Sequence, residues 1–116
     1  MIKVTFRKDA DDSIRKVIVE GHASYGDDGD DIVCSGISIL TISILNGLEE
    51  IVGIEGILRE VKAGYTAFWL PRVEDFVKNV QMTALMDTFE LGVRATESAY
   101  GDYITVKDEI GGELDD

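Results

Sequence analysis

The chain has 116 residues, of which 45% are hydrophobic and 29% are charged, a balance typical of one folded globular domain. This composition argues against a disordered chain, a collagen-like repeat and a membrane protein. Twenty-three acidic residues against eleven basic ones give a formal net charge of -12. Such a charge predicts repulsion from nucleic acid and from anionic membranes, and attraction to basic partners.

The first residues alternate apolar Ile2, Val4 and Phe6 with polar neighbours, as in a half-buried strand. They lack the apolar stretch and cleavage site of a signal peptide. Residues 14–20 predict a second strand, and the polar turn between the two strands makes them a hairpin. The single cysteine cannot form an intramolecular disulfide and suits a reducing compartment, so we expect a cytoplasmic protein.

An acidic segment follows at residues 24–31, and its glycines, Gly26 and Gly29, predict a mobile loop with two hinges. Apolar residues then recur at helical spacing from Ile32 to a capping glycine, Gly53. This stretch is almost long enough to span a membrane. Polar residues and two carboxylates interrupt it, which favours a buried helix of a soluble protein.

The second half of the chain repeats the order of hairpin and helix. Residues 57–70 predict two strands turning at Gly64, and a long amphipathic helix is expected from Pro71 to Gly101. A last strand at residues 103–107 precedes a predicted acidic, flexible tail over 108–116. The order ββαββαβ predicts a single α+β domain over residues 1–116, with two helices packed on a mainly antiparallel sheet.

One histidine and one cysteine flank the acidic loop. His22 follows a predicted strand, and Cys34 is expected in the first turn of a helix, where free N–H groups stabilise a thiolate and can bind an oxyanion. A nearby imidazole can take the thiol proton and later protonate a leaving amine. A lone cysteine is more often a small buried hydrophobe. Spacing alone therefore leaves a Cys–His dyad and a structural role open.

The residues around this pair resemble a known family. Gly21-His22-Ala23, a glycine-bearing loop and then Asp31-Ile32-Val33-Cys34-Ser35-Gly36-Ile37-Ser38 are similar to the ribosomal-processing cysteine proteases (Prp). The resemblance extends over nearly the whole chain. It implies a homodimeric cysteine endopeptidase that removes the N-terminal extension of the bacterial large-subunit ribosomal protein numbered twenty-seven. Ser35-Gly36 departs slightly from the alanine-like residues common in the family.

Carried over residue by residue, the resemblance implies that Cys34 is the nucleophile and His22 the general base, with Gly21, Asp31 and Ser38 as supporting residues. Asp31 either caps the helix or orients His22 as the third group of a triad. Ser38, one turn after Cys34, either hydrogen-bonds near the site or bonds back to a helix carbonyl. The protonation state of the pair at rest stays open, because the acidic loop disfavours a thiolate whereas a helix N-terminus favours it.

No metal or cofactor is expected. One cysteine and one histidine are too few for a structural zinc site, and the acidic loop lacks the ligand spacing of an EF-hand. The expected partners are a basic ribosomal-protein peptide and a second copy of the chain, with no direct contact to nucleic acid or membrane. The alternative function is a non-catalytic acidic module that binds a basic protein in ribosome assembly.

Overall fold

The structure, a computed structural model, describes residues 1–21 and 28–111, with the backbone alone for residues 28–31. The elements follow in chain order as β1 (Ile2–Lys8), β2 (Ile14–Glu20), α1 (Asp28–Asn46), a π-helical segment (Gly47–Val52), β3 (Leu58–Lys62), β4 (Tyr65–Trp69), α2 (Phe76–Ala99) and β5 (Ile104–Ile110). This order matches the predicted ββαββαβ arrangement and confirms the α+β class.

The five strands form one sheet in the order β3-β4-β2-β1-β5. Three neighbouring pairs are antiparallel, and only β1 and β5 run parallel. The register aligns Phe6 with Val17 and Val17 with Phe68, so these side chains share a face. All three are fully buried beneath the two helices. The alternate residues of each strand lie on the opposite face, which we call the open face because neither α1 nor α2 packs on it.

The helical layer is centred on Phe89 of α2. Its ring makes edge-to-face contacts with Phe6 and Phe68, at centroid distances of 5.8 and 6.3 Å. The two helices approach closely at Gly92, where an added Cβ would lie 3.0 Å from a methyl group of Leu40. A glycine at this position therefore lets α1 and α2 pack side by side over the same face of the sheet.

The first helix begins earlier than the sequence predicts. Residues 28–31, expected to belong to the loop, already form the first turn of α1. Acidic side chains stabilise a helix N-terminus through the helix dipole, which explains why this acidic stretch is helical. The helix continues into the π-helical segment, and Gly53 ends it with a φ of 82°, as predicted for a glycine cap.

The stretch Ile32–Val52 is long and apolar enough to cross a membrane by length and composition. One third of it is buried, and its buried residues belong to the same core as the sheet. One side of the helix thus packs on the core. Four isoleucines on its outer side are exposed: Ile32, Ile39, Ile42 and Ile51.

The second helix begins later than predicted, at Phe76 rather than near Pro71. The Asp75 side chain accepts a hydrogen bond from the Lys78 amide at 2.9 Å and so caps this end. The Asp75 side chain accepts a hydrogen bond from a free N–H group of the first turn. Pro71 can occupy the start of a helix but provides no such bond. The helix therefore begins directly after Asp75.

The last strand extends beyond the predicted boundary. The sequence assigned residues 108–116 to a flexible tail, but β5 continues to Ile110. Asp108 pairs with Arg94 of α2, and Glu109 pairs with Arg7 of β1. These ion pairs explain why an acidic sequence continues the strand. The remaining predicted tail, residues 112–116, lies outside the described residues.

Candidate active site

Cys34 lies on the side of α1 that faces the sheet. Its side chain is partly buried and packs against the hydrophobic core. It contributes to the wall of a cavity of about 230 Å³ between α1, the C-terminal end of β2 and the N-terminal end of β4. The cavity is lined by Ile2, Val19, Gly21, Cys34, Ile37, Ser38, Lys62, Gly64, Tyr65 and Thr66. The only thiol of the chain is thus placed where a ligand can reach it.

The structure corrects the position of Cys34 within its helix. Because α1 begins at Asp28, Cys34 is the seventh helical residue and not part of the first turn. The free N–H groups of a helix belong to its first four residues, so the Cys34 amide takes part in the regular helical bonding. The predicted support from the helix N-terminus therefore acts from more than one turn away.

The earlier start of α1 also places two other predicted site residues inside the helix. Asp31, predicted as the helix cap, is the fourth residue of α1 and cannot be its N-cap. Gly29, predicted as a loop hinge, lies in the first turn of α1. His22 and the other predicted hinge, Gly26, lie outside the described residues, as does the side chain of Asp31.

Gly21 has a clear structural requirement. Its φ of 115° is rare for residues with a side chain, and an added Cβ would lie 2.2 Å from the Met1 carbonyl oxygen. Its amide donates a hydrogen bond to the Gly64 carbonyl at 2.9 Å. The end of β2 is therefore held between the first residue of the chain and the β3–β4 turn. Gly21 lines the same cavity as Cys34, and His22 is the next residue in the chain.

Ser38 lies one helical turn after Cys34 and is exposed within the cavity. The predicted alternative of a bond back to a helix carbonyl is instead made by Thr41, whose hydroxyl donates to the Ile37 carbonyl at 2.7 Å. Among residues 1–21 and 28–111, no hydrogen-bond partner is found for the Ser38 hydroxyl. It therefore remains available to a ligand.

A second cavity of about 260 Å³ adjoins the first one and shares Val19, Ser38 and Thr66 with it. Its other lining residues are Thr41, Ile42, Leu45, Arg59 and Val61. Together the two cavities form a groove between α1 and the β3–β4 hairpin, and we call it the α1–β3 groove. Ile42 and Val61 remain more than half exposed in its walls. Their exposure gives the groove an apolar surface that can receive a peptide side chain.

Basic groups lie at both ends of this groove. Lys62 is at the rim of the Cys34 cavity, with its ammonium group 5.0 Å from the centre of the Tyr65 ring. Arg59 lies at the other end and pairs with Glu49 of the π-helical segment. Within the described part of the chain, no cluster of three metal-ligating side chains occurs.

The sequence did not reveal most of the groove. Val19 and Thr66 are register partners on the helix side of the sheet, and only this register brings them beside α1. Lys62 and Tyr65 are register partners on the open face, and they contribute to the rim of the cavity where β3 ends and β4 begins. Gly64 offered a signal as a predicted turn residue, but turns of this kind occur in many hairpins. An alternating strand pattern predicts which residues are exposed, but it does not predict which of them line a cavity.

Comparison with known proteins agrees with this arrangement. Residues 1–105 match the family model for the cysteine protease Prp. The ribosomal processing cysteine protease Prp of Bacillus subtilis is 26% identical over 111 residues, which cover 95% of this chain and 99% of that protein.

Solved structures show the same fold. The crystal structure of SMU.848 from Streptococcus mutans is 25% identical, covers 96% of each chain and has a TM-score of 0.78. The essential ribosomal processing protease Prp from S. aureus, solved in complex with a substrate peptide, is 20% identical and has a TM-score of 0.81. It covers 94% of this chain and all of that one. With the family model matching residues 1–105, the chain belongs to the Prp family of cysteine proteases.

Proposed function

We propose that the protein is a cytoplasmic, homodimeric cysteine endopeptidase that removes the N-terminal extension of the large-subunit ribosomal protein numbered twenty-seven. One observation carries the proposal: Cys34 lines a cavity together with Gly21, the residue directly before His22. Cys34 and the residue directly before His22 thus share one concave surface, although 12 positions separate the two residues that the family resemblance marks as catalytic.

In this proposal Cys34 and His22 form the catalytic dyad. The imidazole takes the proton of the Cys34 thiol, and the thiolate sulfur forms a bond with the scissile carbonyl carbon. The protonated His22 then gives its proton to the leaving amine as the carbon–nitrogen bond breaks. Water attacks the resulting thioester, His22 takes a water proton, and the carbon–sulfur bond breaks to restore the thiol.

The α1–β3 groove is the proposed place for the extension. The groove starts at Cys34 and ends at Arg59, and its apolar walls suit the apolar side chains of an extended peptide. The net charge of -12 adds long-range attraction for a basic ribosomal protein. Ile32 and Ile39 of α1 are exposed and line neither cavity, so they offer an apolar surface for the second copy of the dimer.

The decisive experiment compares wild type with Cys34→Ala and His22→Ala on a peptide carrying the N-terminal extension, followed by mass spectrometry. We expect cleavage by wild type and at least about a 1,000-fold loss in both variants, because nucleophile and base act as one unit. Ser43→Ala is the matched control, since Ser43 is exposed on the same helix and lines neither cavity. It should cleave normally.

The same experiment tests the alternative of an acidic binding module. Equal binding by all proteins without cleavage would support that alternative and refute the protease. Iodoacetamide alkylates cysteine thiols. Because Cys34 is the only cysteine, the rate of labelling measures the reactivity of this one thiol.

The groove has its own matched pair of variants. Val61 and Leu58 lie on the same strand and are almost equally exposed, at 67% and 66%, but Val61 lines the groove and Leu58 lies on the open face. We expect Val61→Ala to raise KM about fivefold with little change in kcat, since only peptide burial is lost. Leu58→Ala should leave both constants unchanged. Equal effects of the two variants would argue against the groove as the peptide site.

A further inference from the structure

The open face of the sheet differs in charge from the rest of the molecule. Strand alternation places five of the eleven basic residues there: Lys3, Arg7, Lys16, Lys62 and Lys107. Among the described residues only three acidic side chains share this face, Glu20, Glu60 and Glu109. A chain with a net charge of -12 thus carries one face with an excess of positive charge.

Two cations on this face oppose each other directly. Arg7 of β1 is the register partner of Lys16 of β2. Like charges in this position destabilise a sheet, so the fold itself gains nothing from the pair. Glu109 pairs with Arg7 and with Lys107, and Glu60 pairs with Lys62. Lys3 and Lys16 have no ion pair within residues 1–21 and 28–111. An anionic ligand would relieve the repulsion.

Aromatic rings accompany the cations. Trp69 and Tyr65 of β4 lie on the open face and are both partly exposed. The Lys16 ammonium group is 4.4 Å from the centre of the Trp69 ring, and the Lys62 ammonium group is 5.0 Å from that of Tyr65. Each ring therefore offers a π-face with a cation beside it, separated along one strand by about 13 Å.

We propose that the open face binds single-stranded RNA, with lysines pairing to phosphates and with Trp69 and Tyr65 stacking on bases. A base can replace an ammonium group over a ring while the displaced lysine pairs with the adjacent phosphate. Flat sheets that combine aromatic rings with basic side chains suit unpaired bases in this way. An acidic peptide would satisfy the lysines but would leave the aromatic rings without a partner, so the combination favours RNA.

The whole-chain charge and this proposal are compatible, because the net charge averages over surfaces that the fold separates. Repulsion from the acidic remainder of the molecule keeps the affinity modest. At 50 mM salt we expect a Kd of roughly 1–100 µM. If about four cations contact phosphates, raising the salt to 200 mM should weaken binding roughly fiftyfold.

The test uses fluorescence anisotropy of a 5′-fluorescein-labelled oligouridylate of twelve nucleotides with the full chain. Lys16→Glu should weaken binding about tenfold and make the salt dependence less steep. This variant places opposite charges across from each other at Arg7, so the sheet should fold at least as well as in wild type. Trp69→Leu should also weaken binding about tenfold, through lost stacking.

Arg72→Glu is the matched control, because Arg72 is exposed outside the sheet and the substitution changes the net charge equally. It should bind RNA like wild type. No binding at 100 µM protein and 50 mM salt would overturn the proposal, as would equal losses in Lys16→Glu and Arg72→Glu. Displacement of the RNA by an equimolar heptaglutamate peptide would also overturn it, since a generic anion site would then be sufficient. The proposal does not depend on peptide cleavage, and its failure leaves the proposed protease activity untouched.

Discussion

The two edges of the sheet are built differently. At the β5 edge, Lys8 and Arg94 surround Glu90 at 3.0 and 2.8 Å, and Arg94 also binds both carboxylate oxygens of Asp108 at 2.8 Å. The side chains of Lys8 and Glu90 are only 12% and 17% exposed. At the β3 edge, all five strand residues are exposed, and one ion pair between Arg59 and Glu49 connects the strand to the helical layer.

The two edges therefore differ in role: contacts at the β5 edge stabilise the fold, whereas the β3 edge borders the candidate peptide site. The β5 edge is connected to α2 by partly buried charges, which hold the strand firmly. The β3 edge borders the α1–β3 groove, and its order depends on backbone contacts such as the bond from the Gly21 amide to Gly64. Substitutions at the β5 edge should therefore affect folding, and those at the groove should affect peptide binding.

The largest effect is expected at Gly21, where the cavity is held by a backbone contact. Gly21→Ala forces a Cβ against the Met1 carbonyl oxygen at a φ of 115°. We expect a loss of about 3 kcal/mol in the free energy of unfolding, measured by urea denaturation. The cleavage rate of the remaining folded protein should also fall, because the residue that follows is His22.

Gly36→Ala is the control for this substitution. Gly36 lies in α1 two residues after Cys34, and nothing lies within 4 Å of an added Cβ. Alanine in a helix should raise stability by about 0.5–1 kcal/mol. If Gly21→Ala were equally harmless, the cavity would not depend on this close approach.

A smaller effect is expected from Glu90→Gln at the β5 edge. The substitution removes the negative charge between Lys8 and Arg94, and we expect a loss of about 1.5 kcal/mol in unfolding free energy. Peptide cleavage by the folded protein should not change. Glu74→Gln, an exposed position just before α2, is the control and should have no effect on stability.

The same edge gives a pH dependence of known sign. Burial lowers the pKa of Lys8, but the hydrogen bond and charge of Glu90, together with the charges of Asp108 and Asp12, outweigh it and raise the pKa above its ordinary value of 10.5. Because the folded-state pKa is raised, the stabilisation is complete below pH 10.5 and is lost as the pH rises through the folded value. Urea denaturation at pH 9 and pH 11 should show this loss in wild type and a weaker one in Glu90→Gln. An equal loss in both proteins would place its origin elsewhere.

The smallest effect is expected at the β3 edge. The Arg59 and Glu49 side chains are 36% and 37% exposed, so water screens their interaction. Arg59→Gln should lower the unfolding free energy by no more than about 0.5 kcal/mol. A loss as large as that of Glu90→Gln would show that the two edges are held in the same way, and the comparison between them would fail.

Much of the fold was predictable because its signals are local. The alternation in β1, the turn at Gly64 and the helix cap at Gly53 each depend on neighbouring residues, and all three appear as predicted. The boundaries of the helices were less accurate. The start of α1 was misplaced because an acidic, glycine-bearing segment is compatible with both a loop and a helix N-terminus.

The site was predictable only in part. The motif resemblance drew attention to Cys34 and Gly21, which line one cavity, but the groove beside them depends on strand register. The extension of β5 was missed for a similar reason, since Arg7 and Arg94 that pair with its acidic residues come from distant parts of the chain. Contacts between distant residues have no signal within a single segment.

The parallel pairing of β1 and β5 also limits when the Cys34 cavity can form during protein synthesis. Partners in this pair, such as Arg7 and Glu109, are 102 positions apart. Ile2 forms part of the Cys34 cavity, and its amide donates to the Tyr103 carbonyl just before β5. During synthesis, one wall of the cavity therefore lacks its support until the last strand has been translated. Such distant pairing slows folding, and it delays formation of the Cys34 cavity until β5 has been synthesised.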